Sequence, residues 1–105
     1  MSKDWESAHG SYYGLPKKEG VYIIIQIGSG DYLDMSYSTP VYIGSSSNLS
    51  RRLSNHPIIH TLNHFKVAYR VKYKLTKNYF NLEKKLIKTY RPEFNKQWNP
   101  EYVTT

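Results

Sequence analysis

The run Gly20-Val21-Tyr22-Ile23-Ile24-Ile25-Gln26-Ile27 decides the fold. Successive side chains of an extended chain point to opposite sides, so Val21, Ile23, Ile25 and Ile27 take one face and Tyr22, Ile24 and Gln26 the other. This density of β-branched and aromatic residues predicts a buried strand over 21–27. After it, residues 28–40 hold Gly, Asp, Ser and Pro without a helical period. They are expected to form a long hairpin loop into a second strand at 41–43, which Gly44 ends. Before it, residues 1–19 are polar and mixed, broken by Gly10, Gly14 and Pro16, with Trp5, Tyr12 and Tyr13 as the sizeable apolar groups. They read as an N-terminal arm, leaving 20–105 as one domain.

Further along, Ser45 to Asn48 offer N-caps for a helix carrying Leu49, Arg51, Arg52 and Leu53, which Pro57 stops or kinks. Ile58, Ile59, Leu62 and Phe65 then suit a short helix. Val67, Tyr69, Val71 and Tyr73 alternate with Ala68, Arg70, Lys72 and Lys74, a third strand with one basic face turned to water or substrate. Tyr79, Leu82, Glu83, Leu86, Ile87 and Tyr90 keep the three-four spacing of an amphipathic helix that ends before Pro92. Strand, strand, helix, strand, helix is an α/β mixture of the α+β type, too small for a doubly wound sheet.

A chain of 105 residues, 39% hydrophobic, supports one compact core. Fifteen Lys and Arg against eight Asp and Glu give a net charge of +7 and a pI near 9.6. That balance favours polyanionic partners, nucleic acid first among them. Eleven tyrosines supply flat rings with a polar tip for stacking and phosphate contact, or simply for packing in strands. Without cysteine there is neither a disulfide scaffold nor a thiolate zinc site. The longest apolar run, 21–25, is too short for a transmembrane helix or signal peptide, so an intracellular, cytoplasmic setting without a membrane partner is expected.

Two residues conflict with the faces that carry them. Glu83 falls on the apolar face of the last helix, flanked by Tyr79, Leu86 and Ile87. A carboxylate there needs a cation, a metal ion or a hydrogen-bond network, or else lies at the edge of the face beside a lysine. Arg52 adjoins the inward stripe of Leu49 and Leu53 while Arg51 points elsewhere. Its rigid fork of donors suits phosphate oxygens; the plainer reading is a packed stem with a solvated head. His56, His60 and His64 recur every four residues and raise a metal-site reading, which Pro57 and the lack of a joining carboxylate weaken.

The order of these pieces resembles the GIY-YIG nucleases. Gly20, Val21 and Tyr22 form a G-V-Y triplet, and Tyr42, Ile43 and Gly44 read Y-I-G. Arg52 follows Tyr42 at ten residues, the family spacing, and Glu83 precedes Leu86, Ile87, Lys88, Pro92, Phe94 and Asn95 in the family's L-I-K-x-x-x-P-x-[FY]-N run. The resemblance spans about three-quarters of the chain, from residue 20 to residue 95. It implies a small central three-stranded, mostly antiparallel sheet flanked by helices, and a DNA endonuclease that hydrolyses phosphodiester bonds by in-line attack of water. It implies one Mg2+ or Mn2+ ion on Glu83, water activated or positioned by Tyr42 or Tyr22, and transition-state charge met by Arg52. By the same resemblance His56 orients water or binds phosphate, and Asn95 bonds Glu83 or phosphate. Ser45 stands where some members have a lysine, and the stretch between the two tyrosine motifs is longer than usual. DNA-backbone contacts are expected from Ser45, Arg51, Arg70, Lys72 and Lys74. Ten residues follow Asn95, so target choice is expected to come from the domain itself, from a homodimer or from a separate targeting subunit. The competing classes are a non-catalytic nucleic-acid-binding module and a protein-interaction domain.

Overall fold

The structure, a computed structural model, describes residues 5–8, 12–27 and 39–98. Most of the expected hairpin loop at 28–40 lies outside the described residues. The elements run β1 (Glu6–Ala8), a 3-10 turn (Tyr12–Gly14), β2 (Gly20–Gln26), β3 (Thr39–Ser46), α1 (Leu49–Ser54), α2 (Pro57–His64), β4 (Tyr69–Leu75), α3 (Tyr79–Tyr90) and α4 (Glu93–Trp98). This is an α+β domain.

The sheet has four strands in the order β1-β4-β2-β3, all neighbours antiparallel, which corrects the three-stranded expectation. The extra strand comes from the segment read as an arm. Glu6 pairs with Tyr73, Ser7 with Lys72 and Ala8 with Val71 along the outer edge of β4. Glu-Ser-Ala carries no apolar alternation; main-chain groups of an open edge make the pairing, so side-chain pattern does not signal it.

β2 runs between β4 and β3, and its first six residues are buried. Tyr22 lies opposite Gly44 and Tyr73, and Ile24 opposite Tyr42 and Val71. On that face Tyr22, Ile24, Val41 and Val71 pack with Leu49, Leu53, Ile58, Ile59 and Leu62 from α1 and α2. The opposite face joins Val21, Ile23, Ile25 and Ile43 to Ile87 of α3, with Tyr79, Leu82 and Leu86 around them. Helices thus cover both faces, which is why the strand is apolar on both. A bulge between Ile24 and Ile25 leaves Val41 without a partner across the ladder and buries it in the first cluster.

Two prolines set the chain's direction near the site. The residue before a proline avoids the helical region, and His56 accordingly takes an extended conformation (φ −99°, ψ 123°) between α1 and α2, with Pro57 opening α2. After α3, Arg91 turns left-handed (φ 46°) and Pro92 follows, redirecting the chain into α4, which packs against β3. That last helix was not expected from the sequence. Among the described residues no helix is long and apolar enough to cross a membrane.

Candidate active site

Tyr22 from β2, Tyr42 from β3, Arg52 from α1 and His56 from the α1–α2 junction come together on one face of the sheet. The Tyr22 and Tyr42 rings are 6.1 Å apart between centroids, and His56 stands edge-on to both, at 5.4 and 5.1 Å. The Arg52 guanidinium lies close enough to both phenol groups for its charge to act on them. Tyr22 reaches this position by crossing directly over Gly44, whose missing side chain leaves room for the Tyr22 hydroxyl.

The hydrogen bonds of His56 fix its tautomer. Its Nδ1 accepts the Ile58 N–H at 3.2 Å, capping α2, so in the neutral ring the proton is on Nε2. Nε2–H then donates to the Tyr22 hydroxyl oxygen at 2.7 Å. That oxygen accepts from His56, with the Arg52 charge close by. Burial pushes the Tyr22 phenol well above its ordinary pKa, Tyr42 adds to this, the Arg52 guanidinium partly offsets it, and Glu83 raises it further. Tyr22 therefore keeps its proton at neutral pH.

Burial, and then the charges of Arg52 and His60, lower the His56 pKa from 6.5 to about 4. Between those values the unfolded chain binds the proton and the folded protein does not. The contribution of His56 is thus fully present above pH 6.5, falls as the pH drops through that window and levels off below it, about 3 kcal/mol in full. Denaturant unfolding followed across the window should show this slope in the wild type and lack it in His56→Gln; equal slopes would mean that His56 is not held neutral.

Glu83 arrives from α3, on the other face. β3 is an edge strand, and its consecutive residues Gly44 and Ser45 point to opposite faces, so the two halves of the site meet around this edge. Ser45 Oγ, expected to contact DNA, donates to Glu83 Oε2 at 2.7 Å. Burial raises the Glu83 pKa, with the Ser45 hydrogen bond and Lys84 offsetting part of the shift.

Other expected residues lie elsewhere. Both ends of the Asn95 amide are used by Ile43: Oδ1 accepts its N–H and Nδ2 donates to its carbonyl, each at 2.8 Å and buried. Asn95 thus clamps the backbone of the Y-I-G strand from α4, rather than bonding Glu83 or facing a phosphate. Arg70, Lys72 and Lys74 pair with Ile25, Ile23 and Val21, which puts them on the α3 face, opposite the Tyr22 cluster. Arg51 instead borders the site, in a cleft of about 300 Å³ with Ser46, Asn48, Arg52 and Asn55. His60 and His64 are exposed while both His56 nitrogens are engaged, and among the described residues no group of three or more His, Cys, Asp or Glu is gathered to hold a metal. The sequence reading missed the His56–Tyr22 bond, although the His-Pro junction signalled where the chain would turn.

No family model matches the chain, and neither a curated protein nor a solved structure matches it significantly.

Proposed function

We propose that this domain is a divalent-metal-dependent DNA endonuclease of the GIY-YIG kind. The observation that carries the reading is the convergence of Arg52, two phenol groups and a neutral histidine beside the half-buried carboxylate of Glu83, from five separate parts of the chain. A phosphodiester needs donors for its charged oxygens and a site for a hard cation. This cluster offers both.

The donor set around Glu83 fits one kind of ion. A single carboxylate suits Mg2+ or Mn2+, which complete their oxygen shell with water and substrate phosphate, and does not suit an ion enclosed by protein alone. When bound, such an ion supplies Lewis acidity to the phosphate oxygen and the leaving group. The chain's own residues do the rest. Ser45 holds the carboxylate in place through its hydroxyl. Arg52 and the O–H of Tyr22 donate to non-bridging oxygens, whose charge grows as attack proceeds. His56 keeps Tyr22 aimed by donating to its oxygen. Tyr22 is therefore a donor, not the base, and Tyr42 is left to position or activate the attacking water.

Supercoiled plasmid incubated with Mg2+ or Mn2+ at low salt is expected to be nicked or linearised, and EDTA should prevent it. Intact plasmid bound tightly by the protein would instead favour a non-catalytic module or a nuclease that needs a partner.

A further inference from the structure

A second, larger cleft adjoins the one at Arg52. It has a volume of about 610 Å³ and is bordered by Lys17, Asn48, Arg51, Asn55 and His60, with serine hydroxyls between them. Asn48, Arg51 and Asn55 line both clefts, so the two lie side by side along α1. No carboxylate occurs among the described lining residues of either.

The wall that carries Lys17 is tied to the helix. The Leu49 N–H donates to the Lys18 carbonyl at 3.1 Å, and Ser50 Oγ donates to the Tyr12 carbonyl at 3.0 Å. These bonds hold the segment before β2 against α1, so Lys17 and Arg51 face a common space although 34 residues separate them. Arg51 and Arg52 are neighbours on one helix and point about 100° apart around its axis. Arg52 turns to the phenol groups of the site, and Arg51 to the shared boundary of the clefts. A DNA strand carries one charge about every 3.4 Å along the helix axis. A strand with one phosphate at Arg52 would continue past Arg51, which lines both clefts, toward Lys17 and His60. An enclosed pocket would suit a single small anion. An open depression whose described lining is polar, with Lys17, Arg51 and Arg52 and no carboxylate, suits a polyanionic backbone.

We infer that this second cleft is the track for the phosphodiesters flanking the scissile one, gripped by Lys17, Arg51 and His60 without base contacts. The inference rests on the nuclease reading for the identity of the strand. It moves the DNA path from the basic face of β4 to the outer side of α1, and it gives the segment before β2 a role in binding.

The test is equilibrium binding of a fluorescein-labelled DNA duplex in EDTA, titrated from roughly 50 to 200 mM salt, for the wild type, Lys17→Ala, Arg51→Ala and the double variant. Both side chains are exposed, and thermal melts check that the variants stay folded. Lys85→Ala, on the exposed side of α3, is the control. Each cleft variant should weaken binding and make the slope of log affinity against log salt less negative by about 0.9, with the double variant showing the sum and Lys85→Ala no change. A wild type that binds DNA while the double variant keeps its affinity and slope would overturn the track and leave the nuclease reading standing. Loss of slope in the cleft variants, with no plasmid cut by the wild type under any metal, would support the track and reject cleavage by this domain on its own. A wild type that does not bind the duplex would overturn both.

Discussion

Glu83→Gln is expected to lower metal-dependent plasmid cleavage by at least about a thousandfold while raising the thermal midpoint at neutral pH. The first effect follows from the proposed role. Gln keeps the shape of the side chain but removes the charge that holds a hard cation, and the loss of several kcal/mol of transition-state stabilisation amounts to about three powers of ten. The second effect follows from the observed environment. Burial raises the Glu83 pKa above its ordinary value, so the folded protein binds this proton more tightly than the unfolded chain does. Stability therefore falls as the pH rises from the ordinary carboxylate range through the raised value. A neutral amide removes that cost and can still accept the Ser45 hydrogen bond through its oxygen. Opposite movements of activity and stability mark a group kept for function rather than for packing. Plasmid gels and thermal melts on the same preparation check both halves. Cleavage retained in Glu83→Gln would remove the carboxylate from the proposed chemistry.

The parts legible in the sequence were those written in periodicity. Strand β2, the amphipathic α3 and the two-helix stretch from Leu49 to His64 all follow from spacing, because burial on a defined face constrains every residue of the element. Glu83 and Arg52 stood out as charges against apolar stripes, and both border the cluster around Tyr22. What could not be read was relative placement across the sheet. Alternation showed that Arg70, Lys72 and Lys74 share a face, yet which face α3 would cover depends on strand order, which no local pattern records. The same holds for β1, where main-chain pairing recruits three residues of no distinctive type. Asn95 shows a third limit: its motif position suggested chemistry, whereas its amide serves the backbone of Ile43, an arrangement that exists only once α4 has docked on β3.

Gly44 illustrates how a motif residue can be chemical in effect while contributing no side chain. Gly44→Ala is expected to lower stability by about 2 kcal/mol or more and cleavage by about a hundredfold or more. Its φ is not in the left-handed region that would itself favour glycine, so the demand is for space. A Cβ there would run into the Tyr22 hydroxyl and lie 2.5 Å from Tyr22 Cζ and 2.9 Å from Tyr42 Cε2. The Tyr22 ring cannot yield cheaply. Tyr22 is buried and hydrogen-bonded to His56, which is itself anchored to the start of α2. Overpacking of this kind costs about 1–3 kcal/mol, or a drop of roughly 4–8 °C in thermal midpoint for each kcal/mol in a domain of this size. The activity loss has a separate origin: a shift of about 1 Å in a positioned donor can cost about a hundredfold in rate. Combining Gly44→Ala with Tyr22→Phe separates the two. Removing the hydroxyl takes away the nearest obstructing atom, so part of the lost stability should return, while cleavage should not, because the donor has gone with it. If the double variant is no more stable than Gly44→Ala alone, the contact with Tyr22 is not what the glycine accommodates, and the approach of Tyr42 becomes the cause to test.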